Sequence, residues 1–151
     1  MTVENYIHTK PEALRKCYDK LLKRLTHIAR TFESIAFCGV SGALIAPAIA
    51  IALNKGVIVV RKPKEHSHST YGIEGTIKGK KRYIIIDDFI DSGKTCKTII
   101  DSIKHKKQFH TSTCVGIYTY GSQYNASCSK EEILQLHMPI SFARKKVIKY
   151  N

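Results

Sequence analysis

The beginning of the chain carries apolar residues at intervals of three and four positions. This spacing puts the apolar side chains on one face of a helix and the intervening lysines and arginines on the other. Thr9 is the predicted helix cap, because Pro11 and Glu12 follow it at positions that the first turn of a helix favours. An amphipathic scaffold helix is therefore expected, with its buried face at Leu14, Tyr18, Leu21, Leu22, Leu25, Ile28, Ala29 and Phe32.

Beyond Ser34 the apolar residues form short continuous runs that glycines and polar residues separate. Near-continuous apolar strands are typical of a parallel sheet that is covered on both faces. The run Asn54-Lys55-Gly56 predicts the end of a helix, where a left-handed residue is favoured. The alternation predicts an α/β fold, a single doubly wound domain over residues 1–151 with right-handed crossovers. The predicted order is strand 35–40, helix 43–53, strand 57–60, strand 83–86, helix 95–106 and strand 113–118.

Two segments lack this pattern. Residues 62–81 are rich in Lys, His, Ser, Thr and Gly and poor in large apolar residues, so we predict a mobile polar loop there. Loops of this length inside a domain are usually lids or binding loops. Residues 120–151 are patterned only weakly, and they predict a loop, a short helix and one or two strands.

The composition is that of a soluble protein, with 43% hydrophobic and 25% charged residues. The longest apolar run, residues 43–53, is too short to span a bilayer, and the N-terminus lacks a signal-peptide pattern. The five cysteines form no CxxC pair, which favours free thiols and a cytoplasmic location. The net charge of +13 indicates anionic ligands, nucleic acid or solubility alone. Because the basic residues are spread over several segments, anionic small molecules are favoured over nucleic acid.

The most informative stretch joins the predicted strand 83–86 to the helix after it. The strand ends in Asp87 and Asp88, and residues 91–95 (Asp-Ser-Gly-Lys-Thr) open the helix. Ligands of open α/β sheets bind beyond the carboxyl ends of the strands, and helix N-termini bind anions. Carboxylates beside an anion pocket suit the paired hydroxyls of a sugar or a Mg²⁺ ion. A P-loop is disfavoured, because Asp88 stands where that motif needs glycine; two surface aspartates before an ordinary helix remain the plain alternative.

This stretch resembles the 5-phosphoribosyl-1-pyrophosphate (PRPP) signature of type I phosphoribosyltransferases. The resemblance implies that Asp87 and Asp88 bind the ribose hydroxyls, directly or through Mg²⁺. It also implies that a loop of Asp91, Ser92, Gly93, Lys94 and Thr95 wraps the 5′-phosphate. The run from Asp91 to Thr95 is most similar to the hypoxanthine-guanine branch, where the residue at the position of Asp91 is proposed to handle a purine proton.

Two further segments are similar to the same family. Residues 38–43 follow the first core strand and resemble the pyrophosphate loop, which implies that backbone amides of Val40, Ser41, Gly42 and Ala43 meet the leaving group. Taken alone, such a glycine-rich turn occurs in any α/β protein. Residues 61–66 resemble the start of the flexible loop in orotate and adenine phosphoribosyltransferases. This resemblance implies that Arg61 and Lys62 bind pyrophosphate and that Lys62 and Lys64 are catalytic candidates alongside Asp91. His66 and His68 are expected to be solvated loop residues.

The resemblance implies an enzyme that joins a free base to PRPP, with Mg²⁺ as cofactor, and releases pyrophosphate and a nucleoside monophosphate. A purine is the favoured base, with orotate or another base possible. A small hood over the base is expected from the first helix or from residues 120–151, and a homodimer is expected. Aromatic residues at 118, 120, 124 and 142 could stack on the base or belong to the core. The alternative is a regulator without catalysis that senses PRPP and holds RNA or DNA on its basic surface.

Overall fold

Five strands form one sheet in the part of the chain that the structure describes, which is a computed structural model covering residues 10–62, 72–77, 79–88 and 93–120. The strand order is β3-β2-β1-β4-β5. Neighbouring pairs among β1, β2, β4 and β5 are parallel, and β3 runs antiparallel to β2 at one edge. The strands are β1 (Ser34–Cys38), β2 (Gly56–Val60), β3 (Ile73–Gly75), β4 (Arg82–Asp87) and β5 (Thr113–Thr119).

Helices cover both faces of the sheet, as expected of strands that are apolar on both sides. One face packs against α1 and α3 around Phe32, Ile49 and Ile84. The other face packs against α4 around Ile85, Ile99 and Ile117. The helices are α1 (Pro11–Thr26), α2 (Gly39–Ala43), α3 (Ala46–Leu53) and α4 (Lys94–His105). None of the helices in the described part of the chain has the length and apolar character that a membrane crossing requires.

The ends of α1 differ from the prediction. Lys10, not Thr9, is the N-cap residue, and its side chain makes no capping hydrogen bond. Pro11 is already in the first turn, where its missing N–H costs nothing. The helix stops at Thr26, and a short 3₁₀ turn, Ala29–Thr31, leads into β1. The apolar face predicted for this segment is confirmed, since Leu21, Leu25 and Phe32 are buried.

The helix predicted over residues 43–53 is two helices, and it begins earlier than predicted. The chain turns into α2 directly at Gly39, breaks at Leu44 and Ile45, and resumes as α3. Pro47 explains the break, because proline has no N–H to donate to the carbonyl of Ala43 and its ring would clash with that turn. The predicted end is confirmed, since Asn54 takes the left-handed conformation with φ 53°.

The edge strand β3 corrects the prediction of a continuous polar loop over residues 62–81. Ile73 is buried against the core, and the N–H of Arg61 donates to the carbonyl of Gly72 at 2.8 Å. Gly75 lies so close to β2 that a Cβ there would stand 2.5 Å from the carbonyl oxygen of Val57. Three residues are too few to show a period of two, which is why the pattern of the sequence missed this strand.

Charged side chains tie the segment between α1 and β1 to the first residue of β4, at the end of the sheet opposite Asp87. The carboxylate of Glu33 accepts a hydrogen bond from the backbone N–H of Arg82 at 2.8 Å and pairs with its guanidinium. The same guanidinium donates to the carbonyl of Arg30 at 3.0 Å. The hydrogen bonds from the side chain and backbone of Arg82 hold the pKa of Glu33 below its usual range. The charged contacts at this end of the sheet therefore have a structural role.

The cysteines within the described residues are free, as predicted. Cys38, Cys96 and Cys114 are buried among apolar side chains of the α4 face. Burial raises the pKa of Cys114 to about 12, so this thiol is protonated and unreactive at neutral pH.

Candidate functional site

The candidate site lies where the carboxyl ends of β1 and β4 meet. These two strands are parallel neighbours, with Ile35 opposite Ile84 and Ala36 opposite Ile85. The chain leaves β1 into α2 and leaves β4 through Asp87 and Asp88. Neighbouring parallel strands end at the same edge of a sheet. Ser41 and Asp87, 46 positions apart along the chain, therefore become adjacent in space.

Asp87 is a buried carboxylate held by hydrogen bonds. Its side chain is at the end of an apolar strand, and the residue is 7% exposed. Its Oδ1 accepts a hydrogen bond from the hydroxyl of Ser41 at 2.8 Å and another from the backbone N–H of Asp88 at 2.9 Å. The first of these bonds joins the two segments that resemble the ribose-binding and pyrophosphate-binding parts of the family.

Burial raises the pKa of Asp87 to about 7. The hydrogen bond from Ser41 acts in the opposite direction, and the neighbouring carboxyl of Asp88 raises the pKa further. The charged form of Asp87 therefore lacks the stabilisation that it would have in water. A ligand that brings hydroxyl donors or a cation to this carboxylate would restore it.

The donor set at Asp87 and Asp88 fits Mg²⁺ bound together with a substrate. Among the described residues no group of three or more His, Cys, Asp and Glu side chains could hold a metal ion. Mg²⁺ needs no such cage, since it keeps several waters and commonly takes one or two carboxylates plus phosphate oxygens. Two adjacent, buried carboxyl groups at the mouth of a sheet meet that requirement.

Small residues let α2 lie close to β1. A Cβ at Gly42 would stand 2.4 Å from the Cβ of Phe37, far inside an ordinary contact. Gly39 takes φ 75°, which favours glycine, and so allows the strand to turn directly into the helix. The predicted loop of Val40, Ser41, Gly42 and Ala43 is thus a helical turn, whose first amides lack acceptors within the helix.

The two described basic candidates occupy different positions. The side chain of Lys62 lies over Gly39, since a Cβ built there would be 3.2 Å from its Cε and 3.6 Å from its Nζ. This places an ammonium group at the first residue of α2. The guanidinium of Arg61 instead forms an ion pair with the carboxylate of Glu74 on β3, with 3.1 Å between nitrogen and oxygen.

The helix α4 begins at the same edge of the sheet. Gly93 is its N-cap residue in the left-handed conformation, with φ 82°, and it is buried. Lys94 and Thr95 are exposed in the first turn, and Gly93 itself has no side chain that could cap the helix. The N-terminus of a helix suits an anion. The predicted residues Asp91, Ser92 and Lys64 lie outside the described part of the chain.

Several known phosphoribosyltransferases are similar to the chain in sequence. No family model matches the chain. It is 32% identical over 111 residues to an adenine phosphoribosyltransferase of Bifidobacterium longum subsp. infantis, covering 64% of this chain and 58% of that protein. It is 27% identical over 128 residues to an orotate phosphoribosyltransferase of Cytophaga hutchinsonii, covering 84% of this chain and 60% of that protein. The chain is therefore similar in sequence to adenine and orotate phosphoribosyltransferases.

The type I phosphoribosyltransferase fold is also found by structural comparison. The crystal structure of orotate phosphoribosyltransferase from Aeropyrum pernix superposes with a TM-score of 0.57 at 16% identity, covering 91% of this chain and 77% of that one. The predicted α/β fold is therefore confirmed, and its sheet is parallel except for the antiparallel edge strand β3. The chain spans about three-fifths of the length of the two curated relatives.

The structure brings together most of the predicted site residues that it describes. Ser41 contacts Asp87, Asp88 follows it, and Lys62 lies against the start of α2. Gly93 opens the helix at the same edge. The guanidinium of Arg61 is paired with Glu74, and its role as a pyrophosphate ligand stays a prediction. Positions 124 and 142 lie outside the described residues.

Sequence reasoning missed the part that Tyr120 plays. Its hydroxyl donates to the backbone carbonyl of Ser41, 79 residues earlier in the chain, and its backbone N–H donates to the carbonyl of Asp87 at 3.2 Å. Tyr118 is half-buried, with the guanidinium of Arg24 5.1 Å from its ring centre. The sequence left open whether these tyrosines stack on the base or belong to the core. The structure supports the second interpretation, because both pack in or against the core. The pattern of the sequence holds no signal for a contact over such a distance.

Proposed function

We propose that the protein is a phosphoribosyltransferase that joins a nitrogenous base to the ribose C1 of PRPP and releases pyrophosphate. The observation that carries the proposal is the hydrogen bond from Ser41 to Asp87. It brings the segment that resembles the pyrophosphate loop into contact with the carboxylate of the ribose-binding signature. The relatives named adenine and orotate phosphoribosyltransferase support the same reaction.

The roles follow the positions of the residues. Asp87 and Asp88 hold the ribose 2′- and 3′-hydroxyls, directly or with Mg²⁺, and residues 91–95 hold the 5′-phosphate at the start of α4. The first amides of α2 and the ammonium of Lys62 hold the pyrophosphate. By resemblance, Asp91 handles the proton of the base and Lys64 joins Lys62 in neutralising the leaving group.

The chemistry needs charge placement more than nucleophilic catalysis. As the bond from C1 to pyrophosphate breaks, positive charge grows on the ribose and negative charge grows on the leaving group. Asp87 and Asp88 lie on the ribose side, and Lys62 lies over Gly39 on the pyrophosphate side. Bound Mg²⁺ would supply further positive charge to the pyrophosphate oxygens. The protein thereby holds each developing charge beside a group of opposite sign.

A purine is the proposed base, and adenine is the first candidate. The relatives named adenine phosphoribosyltransferase support adenine. Because another relative is named orotate phosphoribosyltransferase, a pyrimidine is also a candidate. The run of residues 91–95 resembles the hypoxanthine-guanine branch, which adds hypoxanthine and guanine to the candidate bases. The base must therefore be identified by trial.

The test is release of pyrophosphate from PRPP and Mg²⁺ with a panel of bases: adenine, hypoxanthine, guanine, xanthine, orotate, uracil and nicotinamide. We expect release to depend on one base or one class of bases and to stop in EDTA. The Asp88→Asn variant should turn over at least about tenfold more slowly, because it removes a charge from the ribose site.

Two outcomes would contradict the proposal. Absence of release with every base, while isothermal titration still detects PRPP binding, would favour the PRPP-sensing regulator. Affinity for RNA or DNA that falls steeply with salt would then be the next observation to seek. Absence of both release and PRPP binding would reject the family's activity for this chain altogether.

We also propose that the protein forms a homodimer through the outer face of α3. Every residue of α3 is apolar, although a surface helix is normally apolar on one face only. Ile51 is 83% exposed, and Val40 on the adjoining α2 is 73% exposed. A second copy of the chain would cover both side chains.

The Ile51→Lys variant tests this dimer. In sedimentation velocity at micromolar concentration we expect the wild-type chain to be a dimer and Ile51→Lys to be a monomer, because a lysine ammonium would be buried without a partner. His27→Lys adds a similar charge at an exposed position on another element and should remain dimeric. A wild-type chain that sediments as a monomer, or an Ile51→Lys dimer, would rule out this interface.

A further inference from the structure

Three residues from distant parts of the chain form a closed ring of hydrogen bonds at the site. The backbone N–H of Tyr120 donates to the carbonyl of Asp87 at 3.2 Å, and the Tyr120 hydroxyl donates to the carbonyl of Ser41. The hydroxyl of Ser41 donates to Oδ1 of Asp87 at 2.8 Å and closes the ring. Two of its members belong to the proposed ribose and pyrophosphate sites, and Tyr120 belongs to neither.

The break between α2 and α3 explains why Ser41 accepts a bond from a side chain. In a continuous helix the carbonyl of Ser41 would receive the N–H of Ile45. That N–H donates to the carbonyl of Gly42 instead, at 3.3 Å, because the helix is interrupted before Pro47. The carbonyl of Ser41 is left without its helical donor, and the Tyr120 hydroxyl takes that place.

The surroundings of the ring are apolar. Tyr120 is 8% exposed and packs in the cluster that contains Phe37, Ile45 and Ile86. Water competes poorly for hydrogen bonds in such a place, and an unsatisfied polar group there is costly. A phenol hydroxyl at this position therefore satisfies a backbone carbonyl that an apolar side chain of the same shape would leave open.

We propose that Tyr120 is a positioning residue that sets the distance between α2 and the carboxylate of Asp87. This inference rests on the proposed function, in which the bond that breaks joins the ribose to the pyrophosphate. The two halves of PRPP must then be held at one fixed separation, and displacement of a binding group by about 1 Å can cost a hundredfold in rate. Tyr120 fixes that separation by bonding Asp87 with its backbone and Ser41 with its side chain.

Tyr120→Phe is the test, since it removes one hydroxyl and keeps the ring in the core. Isothermal titration with Mg²⁺ would measure the affinity of each variant for inorganic pyrophosphate and for ribose 5-phosphate. We expect Tyr120→Phe to bind pyrophosphate about tenfold more weakly and ribose 5-phosphate within about twofold of wild type. The Tyr18→Phe control removes a hydroxyl on α1 that packs against the same cluster, and both affinities should be unchanged.

A double-mutant cycle separates positioning from a general loss of stability. Ser41→Ala removes the bond to Asp87 and leaves the carbonyl that Tyr120 holds. Because both bonds belong to one ring, Ser41→Ala combined with Tyr120→Phe should weaken pyrophosphate binding by less than the product of the two single effects.

The outcomes distinguish this inference from the function on which it rests. If the wild-type chain binds pyrophosphate and Tyr120→Phe binds it equally tightly, the positioning role is wrong. The proposed function would still stand. Equal weakening of both ligands, with a lower melting temperature, would also overturn it, because that is the result of a loosened core. A wild-type chain that binds neither ligand would overturn the proposed function and this inference together.

Discussion

The Asp87→Asn variant is expected to melt at a higher temperature than the wild-type chain above pH 7, although its turnover should be about a hundredfold lower. Asparagine keeps an oxygen that can accept the hydrogen bonds from Ser41 and from the N–H of Asp88. It carries no charge, and so it imitates the protonated carboxyl that the buried position favours. Catalytic function and stability therefore make opposite demands on this residue.

The sign of the pH dependence follows from the raised pKa. Burial lifts the pKa of Asp87 in the folded chain to about 7, from an ordinary value of 3.8. As the pH rises from about 4 to about 7, the unfolded chain gives up this proton and the folded chain retains it. Ionisation thus favours the unfolded chain, and wild-type stability falls across this window. In Asp87→Asn this loss is absent, which is worth on the order of 4 kcal/mol at pH 8.

Thermal unfolding in EDTA without PRPP would measure the effect. The difference in melting temperature between Asp87→Asn and wild type should be near zero at pH 4 and about 8–16 °C at pH 8. Asp19→Asn is the matched control, because Asp19 is exposed and paired only with Arg15 on the surface of α1. It should change the melting temperature by little at any pH. If Asp87→Asn were less stable than wild type at pH 8, the carboxylate would be stabilised in the folded chain and this account of its burial would be wrong.

Gly42→Ala is expected to lower the free energy of unfolding by about 3 kcal/mol. In an ordinary helix this change adds up to about 1 kcal/mol of stability, because alanine is the better helix former. Here the new methyl group would stand 2.4 Å from the Cβ of Phe37, which is buried in the core. Carbon atoms pack at about 3.5–4.0 Å, so α2 must move about 1 Å away from β1. Ser41 moves with it, and PRPP affinity should fall as well.

Gly72→Ala is the control for Gly42→Ala. The chemical change is the same, but a Cβ at Gly72 would meet nothing within 4 Å. Its free energy of unfolding should stay within about 0.5 kcal/mol of wild type, whereas the melting temperature of Gly42→Ala should fall by about 6–12 °C. A Gly42→Ala chain as stable as Gly72→Ala would show that α2 does not pack against β1 at this distance.

Local patterns predicted the elements whose cause is local. The apolar face of α1, the strands β1, β2, β4 and β5, and the left-handed end of α3 at Asn54 all follow from a few neighbouring residues. Even the interruption at Pro47 is a local effect, although the alanine-rich run around it concealed the break. By contrast, β3 exists because its three residues pair with β2, and no pattern inside three residues reveals a partner.

By itself the sequence determined the α/β alternation, the mostly parallel sheet and the carboxylates at the end of β4, because each depends on residue order and burial along one short segment. It also determined that Gly39 and Gly42 would allow a close turn. Only the tertiary structure decided that Ser41 reaches Asp87, that Tyr120 holds Ser41, and that Arg61 pairs with Glu74. These contacts join residues from 13 to 79 positions apart, and they form only when the sheet brings the ends of separate strands to one edge.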